Sequence, residues 1–387
     1  MDKSVLKPGW RKVKFGEVVQ LSKARCADPL AEGVERFVGL EHLQPGDLRI
    51  RSWGKVADGT TFTSVFKPGQ VLFGKRRAYQ RKVAVADFSG VCSGDIYVLE
   101  SQDTNVLLPD LLPFICQTDA FFEHAVGTSA GSLSPRTNWS SLADFEFALP
   151  PIGEQHKALT LLDAAVEQSN SLENAVKALL HVKAAMVKEF IASASQVYPI
   201  IALVDGCVRI TDGTHQPPKF TDDGIPFFLV KTISSNFIDW SSTKFVSKET
   251  YDDLTKCVQP KRGDILYTAV GATYGVALLV DFDTPFIFQR HIAHIIPNPS
   301  ILIGRYIEEF LNSTAGKRQS DQCAVGSAQP TVTLKSLSHF KLPCPPIDVQ
   351  ATFVSSVEEL SKSLISLQKR LQSANSLRSV AMSEVFQ

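Results

Sequence analysis

The sequence predicts an α+β protein in which one globular design occurs twice, the two units being separated by two long antiparallel helices that form a coiled coil. Three observations predict it. The chain repeats itself at an offset of 195 residues. Two stretches, 154–195 and 348–387, carry a seven-residue apolar period without Pro or Gly. The segments between them hold short apolar runs punctuated by turn residues.

The repeat is clearest in "GSLSPRTNWSSLADFEFALPPI" (131–152) and "GSAQPTVTLKSLSHFKLPCPPI" (326–347). Gly131, Ser132, Pro135, Ser141, Leu142, Phe145, Pro150, Pro151, Ile152 and Gln155 recur as Gly326, Ser327, Pro330, Ser336, Leu337, Phe340, Pro345, Pro346, Ile347 and Gln350. A fainter echo links "KPGQVLFGK" (67–75) to "PKRGDILYT" (260–268) at an offset of 194, so one residue has been gained or lost between them. A repeat this long exceeds the ~20–50 residues of solenoid units and implies two whole domains of one kind. The expected partition is 1–152, first globular unit; 153–196, first long helix; 197–347, second globular unit; 348–387, second long helix.

Each double proline ends a strand, because Pro cannot donate to a sheet ladder. The period then changes. Ala158, Ala165, Leu172, Leu179 and Met186 are seven apart, with Leu162, Ser169, Val176, Lys183 and Phe190 four after each. In the second stretch Phe353, Leu360, Leu367, Ala374 and Ala381 alternate with Val357, Leu364, Leu371, Arg378 and Val385. These are a/d seams, which must be buried. The simplest partner of each helix is the other. Running antiparallel, they would place the two globular units at opposite ends of a stiff spacer.

The globular units read as α+β, with turns at "PGD" (45–47), "KPGQ" (67–70), "TDDGIP" (221–226) and "PKRGD" (260–264), and short helices over 109–124 and 300–315. Chain length suits two or three domains, and 44% hydrophobic with 21% charged residues suits a globular protein. Basic and acidic residues balance at 40 each, so any electropositive surface must be local. The seven cysteines, Cys26, Cys92, Cys116, Cys207, Cys257, Cys323 and Cys344, form no CxxC pair, which argues against a zinc ribbon and suits reduced thiols. "MDKSVLKPGW" lacks the apolar core of a signal peptide, and no apolar run reaches the ~18 residues of a membrane span. A cytoplasmic protein without a membrane partner is expected.

One cluster stands out in this neutral chain. "GKRRAYQRK" (74–82) follows an apolar run and holds Lys75, Arg76, Arg77, Arg81 and Lys82 around Tyr79 and Gln80, with no acid. Lys and Arg neutralise phosphates, Arg reads guanine through two parallel bonds, and Gln does so with adenine. A plain solvated loop is the alternative. The same place in the second copy, "TAVGATYG" (268–275), is uncharged and offers Thr268, Thr273 and Tyr274, or is a simple turn. "FQRH" (288–291) adds Gln289 and Arg290. "TDGTHQPP" (211–218) contributes Thr214 and His215, whose pairing with Asp212 reads better as a turn than as catalysis. The loops 127–138, with Ser134 and Arg136, and 324–333 suit phosphate contacts or mere strand connection. Lys317 and Arg318 complete the candidates.

No GxxxxGK[ST], GxGxxG after a strand, HExxH or Asn-Pro-Pro-aromatic motif occurs, so ATPase, dinucleotide, zinc-protease and amino-methyltransferase chemistry lack support. The order unit, long helix, unit, long helix resembles the specificity subunit of type I restriction–modification systems. "GQVLFGKRRAYQRKVAVADFSGVCSGDIYVL" (69–99), "DGTHQPPKFTDDGIPFFLVKTI" (212–233), "GDILYTAVGATYGVALL" (263–279) and the two PPI-to-helix junctions carry that resemblance.

The resemblance implies two target recognition domains, each reading one half of a bipartite double-stranded DNA site. It implies helices that set the spacing and dock two copies of a methyltransferase subunit, where S-adenosylmethionine would bind and adenine N6 would be methylated. A restriction/translocase subunit would complete the defence against foreign DNA. This chain would hold no catalytic, cofactor or metal site. Two other readings are a scaffold binding protein or carbohydrate and a fused single-chain methyltransferase or nuclease.

Overall fold

The computed structural model describes residues 6–233, 238–256, 259–326 and 329–386. Cys257 and Ser327, both named above, lie outside them. The chain forms two compact units, Met1–Glu173 with Lys369–Gln387, and Asn174–Gln368.

In the first unit, β1 (Arg11–Lys14), β2 (Val19–Leu21), β3 (Arg36–Val38), β4 (Gly54–Lys55), β5 (Ser64–Phe66), β6 (Val71–Gly74), β7 (Val83–Val85), β8 (Gly90–Cys92), β9 (Ile96–Ser101) and β10 (Glu146–Leu149) build three sheets. Their orders are β1-β10, β2-β9-β6-β7 and β4-β3-β8-β5. The second unit holds β11 (Ile200–Ala202), β12 (Cys207–Asp212), β13 (Ile225–Phe228), β14 (Lys244–Val246), β15 (Ile265–Thr268), β16 (Ala277–Leu279), β17 (Ile287–Phe288), β18 (Ile292–Pro297) and β19 (Lys341–Pro343). Its orders are β11-β19, β12-β18-β15-β16 and β14-β13-β17. The topologies therefore match strand for strand, down to the parallel pairs β3–β8 and β13–β17. Among the described residues the one difference is that β5 has no counterpart.

The apolar echo in the sequence becomes the central strand of each main sheet. β6 and β15 are buried along their whole length because both faces are covered. Alternation divides their side chains. Val71 and Phe73 enter the core that the helices cover, while Leu72 enters the core beneath the other sheet. Ile265 and Tyr267 divide from Leu266 in the same way. The short helical pieces fall at Leu112–Ile115, Asp119–Gly127, Gly304–Asn312 and Thr314–Cys323.

Two long helices follow the double prolines, Ile152–Val197 and Ile347–Phe386. Each is fixed at its start by a fully buried glutamine. Gln155 Nε2 donates to the carbonyls of Val106 (2.8 Å) and Pro150 (2.9 Å), and its Oε1 accepts from Leu108 N–H (2.9 Å). Gln350 repeats the clamp on Ile301 (2.8 Å), Pro345 (2.8 Å) and Ile303 N–H (2.9 Å). The matched glutamines thus join each helix to the chain before it by pairing backbone groups that are buried or half-buried there.

The two helices pair antiparallel within each unit. In the first, Ala158 and Leu162 share a core with Met382 and Phe386. In the second, Val187 and Ile191 meet Phe353, Val354 and Val357, and the Phe190 ring stacks on Phe353 with centroids 4.0 Å apart. Every predicted seam residue is buried or half-buried. Toward the C-terminal end of each helix, Val187, Ile191, Met382 and Phe386 take over the most buried places, one position after the predicted ones. A straight helix of 3.6 residues per turn drifts by ~20° per heptad against a strict seven-residue repeat, which produces this shift.

Candidate nucleic-acid interface

The sequence between β6 and β7 must reverse direction within eight residues, 75–82. It does so by docking on the loop that precedes the repeated PPI segment. Arg77 N–H donates to Pro135 O (2.7 Å) and Thr137 N–H to Lys75 O (3.0 Å), with isolated bridges Arg76–Arg136 and Ala130–Arg136. The second unit reproduces each contact. Gly271 N–H donates to Pro330 O (3.0 Å) and Val332 N–H to Ala269 O (2.8 Å), with bridges Val270–Thr331 and Val325–Thr331. The described residues of the loops 127–138 and 324–333 thus hold the β6–β7 and β15–β16 loops through two backbone bonds each.

The backbone is alike and the side chains are not. Among the described residues, only Arg77 and Arg81 are non-glycine residues with left-handed backbone, both at φ 54°. At the matching offset of 194 the second unit has Gly271 (φ 101°) and Gly275 (φ 86°). A side chain in that conformation costs on the order of 1 kcal/mol, which glycine avoids. The first unit therefore sustains two strained arginines in one turn where the design is satisfied by glycine.

The cluster has an internal order. Asp95 accepts from Arg136 Nε (2.9 Å) and Arg76 Nη1 (3.2 Å). Burial alone would raise its carboxyl, but these bonds outweigh burial and hold it below the usual carboxylate range. Ser134 Oγ accepts from Arg76 Nη2 (3.1 Å) and Arg77 Nη2 (3.2 Å). Lys75 lies over the Tyr97 ring at 4.5 Å, and burial lowers its pKa. Arg81 turns toward Asp119 (2.6 Å), Gln117 O (3.2 Å) and the Phe122 ring, and Lys82 Nζ donates to Leu40 O (2.7 Å). Gln80 is half-buried. Tyr79 is 55% exposed, and no ring contact covers it among the described residues. Six cations, Lys75, Arg76, Arg77, Arg81, Lys82 and Arg136, meet two carboxylates, Asp95 and Asp119, leaving a formal charge of +4 on this patch. Such a patch suits an anionic partner.

The second unit gathers fewer of the predicted residues. Thr273, Gln289, His291, Lys231 and Gln329 line one shallow depression of about 370 Å³ beside Gly271. Thr214 bridges to Gln289, and Arg290 is exposed beside them. Tyr274 is tied to Asp321 (2.8 Å), and that bond raises its pKa. His215 Nε2 contacts Asp212 at 3.3 Å across an exposed turn, the structural role expected of the pair. Three residues sit elsewhere. Thr268 is a correction: it is fully buried, its hydroxyl donating to Thr273 O (2.8 Å) and accepting from Val276 N–H (2.9 Å), so it shapes the turn and has no exposed atom for a ligand. Arg318 lies beside Lys188 and Ser195 of the first long helix, and Lys317 is its exposed neighbour on the helix Thr314–Cys323. Asp95, which organises the first patch, was absent from the sequence candidates. Its one sequence signal is an acid 19 positions beyond Arg76, which means nothing until β6 and β9 pair and bring them together.

No group of three or more His, Cys, Asp or Glu side chains able to hold a metal ion occurs among the described residues. No helix among them is long and apolar enough to cross a membrane.

Comparison with known proteins agrees with the fold. Residues 219–375 match the family model "Type I restriction modification DNA specificity domain". The chain is 27% identical over 177 residues to the type I restriction enzyme EcoDI specificity subunit of Escherichia coli, covering 43% of this chain and 37% of that protein. It is 25% identical over 291 residues to the EcoBI specificity subunit of the same organism, covering 66% and 61%. The chain thus spans between about a third and three fifths of the length of these curated relatives. Among solved structures, the type I restriction–modification S subunit from M. genitalium superposes with a TM-score of 0.61 at 14% identity, covering 100% of this chain and 98% of that one. A chain solved in work on complex assembly and conformational transition of the type I R-M system gives 0.60 at 18% identity, covering 98% of each. At these identities the structures establish the shared fold.

Proposed function

We propose that this chain, whose residues 219–375 match the type I restriction modification DNA specificity domain, is a non-catalytic DNA-reading subunit with two target recognition domains, 1–152 and 197–347. Each domain recognises one half of a bipartite duplex site. The helices 153–196 and 348–387 fix the gap between halves and offer the docking surface for two methyltransferase subunits, which bind S-adenosylmethionine. A restriction/translocase subunit completes the assembly, and the cytoplasm, where the DNA is, is its place of action.

One observation carries this reading. The same backbone device presents a loop in both units, while its side chains differ in charge and shape, a cationic patch of +4 in one and an uncharged glycine turn in the other. A duplicated frame with divergent tips is what two readers of different half-sites require. Neither unit needs high affinity, because a stiff link makes the second contact effectively intramolecular. Half-sites centred about one turn of B-DNA apart, ~34 Å, lie within the span of helices ~60–70 Å long.

Selection of the full chain on a pool of random duplex DNA tests the proposal. The expected result is enrichment of a split motif, two short defined sequences separated by an undefined gap of fixed length. Enrichment of no sequence would favour the scaffold reading. Methyl transfer to DNA by the purified chain alone would favour the fused enzyme.

A further inference from the structure

Of the four arginines in the first unit's patch, Arg76 and Arg136 are held by Asp95 and Arg81 by Asp119. Arg77 alone has no carboxylate partner among the described residues. Resting on the function proposed above, we infer that Arg77 is the residue that fixes a base in the first half-site, and that this base is guanine.

The position itself argues for the side chain. Gly271 occupies the equivalent place in the second unit and meets the left-handed backbone without strain. Arginine there is the harder solution, so the side chain and not the turn accounts for its presence. Strained residues of this kind cluster where a group must be held ready for a ligand.

Arg77 is also immobilised at both ends. Its N–H is bound to Pro135 O at 2.7 Å, and its Nη2 to Ser134 Oγ at 3.2 Å, so one short turn anchors both backbone and guanidinium. Its Nε is buried without an acceptor. Nη1 has no partner among the described residues, which leaves the end of the fork, Nη1 with the second Nη2 hydrogen, available. Guanine presents two acceptors side by side on its major-groove edge, N7 and O6, the acceptor pair that such a planar fork matches. A lone phosphate contact would need neither the strain nor the fork, since the neighbouring lysines supply charge. Glycine at 271 cannot make this contact, so the second half-site has no base fixed from the equivalent position.

The test is duplex selection with the full chain and two variants. R77G removes the side chain and relieves the strained backbone. R77K keeps the charge and the strain but replaces the fork with a point charge. The wild-type chain is expected to enrich a G·C pair at one fixed position of one half-site. Both variants should lose that preference about tenfold or more, while every position of the other half-site is unchanged. R77G should melt at or above the wild-type temperature, showing that it is folded. Retention of the guanine preference by R77K or R77G would overturn the inference, as would a wild-type motif with no G·C pair in either half. Uniform weakening across all sequences without a change in preference would also overturn it, since that is the behaviour of a phosphate contact. Failure of the wild-type chain to enrich any motif would instead overturn the proposed function itself, so the two failures are distinct.

Discussion

Replacing Gln350 with alanine is expected to lower the stability of the second unit by about 3–5 kcal/mol. The substitution leaves Ile303 N–H and the carbonyls of Ile301 and Pro345 without the partners that Gln350 now supplies. Each buried group stripped of its bond costs about 1–3 kcal/mol. For a unit of this size each kcal/mol moves the melting temperature by ~2–4 °C, so a fall of roughly 10 °C is expected. Gln155→Ala should act equally on the first unit. Hydrogen exchange separates the two, because Gln350→Ala exposes the Ile303 amide and Gln155→Ala the Leu108 amide. A loss below about 1 kcal/mol in urea unfolding would show that the clamp does not hold the helix to its domain.

The second large effect is expected at Phe353. Its ring stacks on Phe190 at 4.0 Å and meets Tyr306 edge-on at 6.0 Å, while Tyr306 is itself anchored by its hydroxyl to Pro343 O at 2.8 Å. Phe353→Ala removes the centre of this aromatic group and should cost about 3–5 kcal/mol, whereas Phe353→Leu, which preserves most of the volume, should cost under about 1.5 kcal/mol. The first unit has Ala158 and Val385 at the corresponding positions and packs its helices through Leu162, Met382 and Phe386 instead. Its stability should therefore be untouched by either change. Equal destabilisation by Ala and Leu, measured by urea unfolding, would show that filled volume is not what this position contributes to joining the helices.

Much of this architecture is legible in the residues because it is written twice. The offset of 195 locates the strand exits, the double prolines and Gln155 with Gln350, and the heptads locate the seam. What Gln155 and Gln350 do is not legible, since their partners lie 47 and 49 positions away along the chain. The basic loop is conspicuous as composition, but its division into held and unheld arginines depends on Asp95, Asp119 and Ser134, which tertiary structure brings to it. Thr268 was misread for the opposite reason. Its hydroxyl looks available in a glycine-rich turn, yet it ends a strand buried on both faces and turns inward to bond the loop it starts. The left-handed backbone of Arg77 and Arg81 has a faint trace in the sequence, the glycines 194 positions later, readable only once the two loops are known to share one conformation.

The proposal that the paired helices act as the ruler between two readers is tested most directly by shortening both. Deleting residues 174–180 from the first helix and 365–371 from the second removes one heptad from each and keeps the seam in phase. Each helix becomes ~10 Å shorter, equivalent to about three base pairs at ~3.4 Å each. Duplex selection with this variant should return the two wild-type half-site sequences with a gap shorter by about that amount. Recovery of the same half-sites at the wild-type gap would contradict the account.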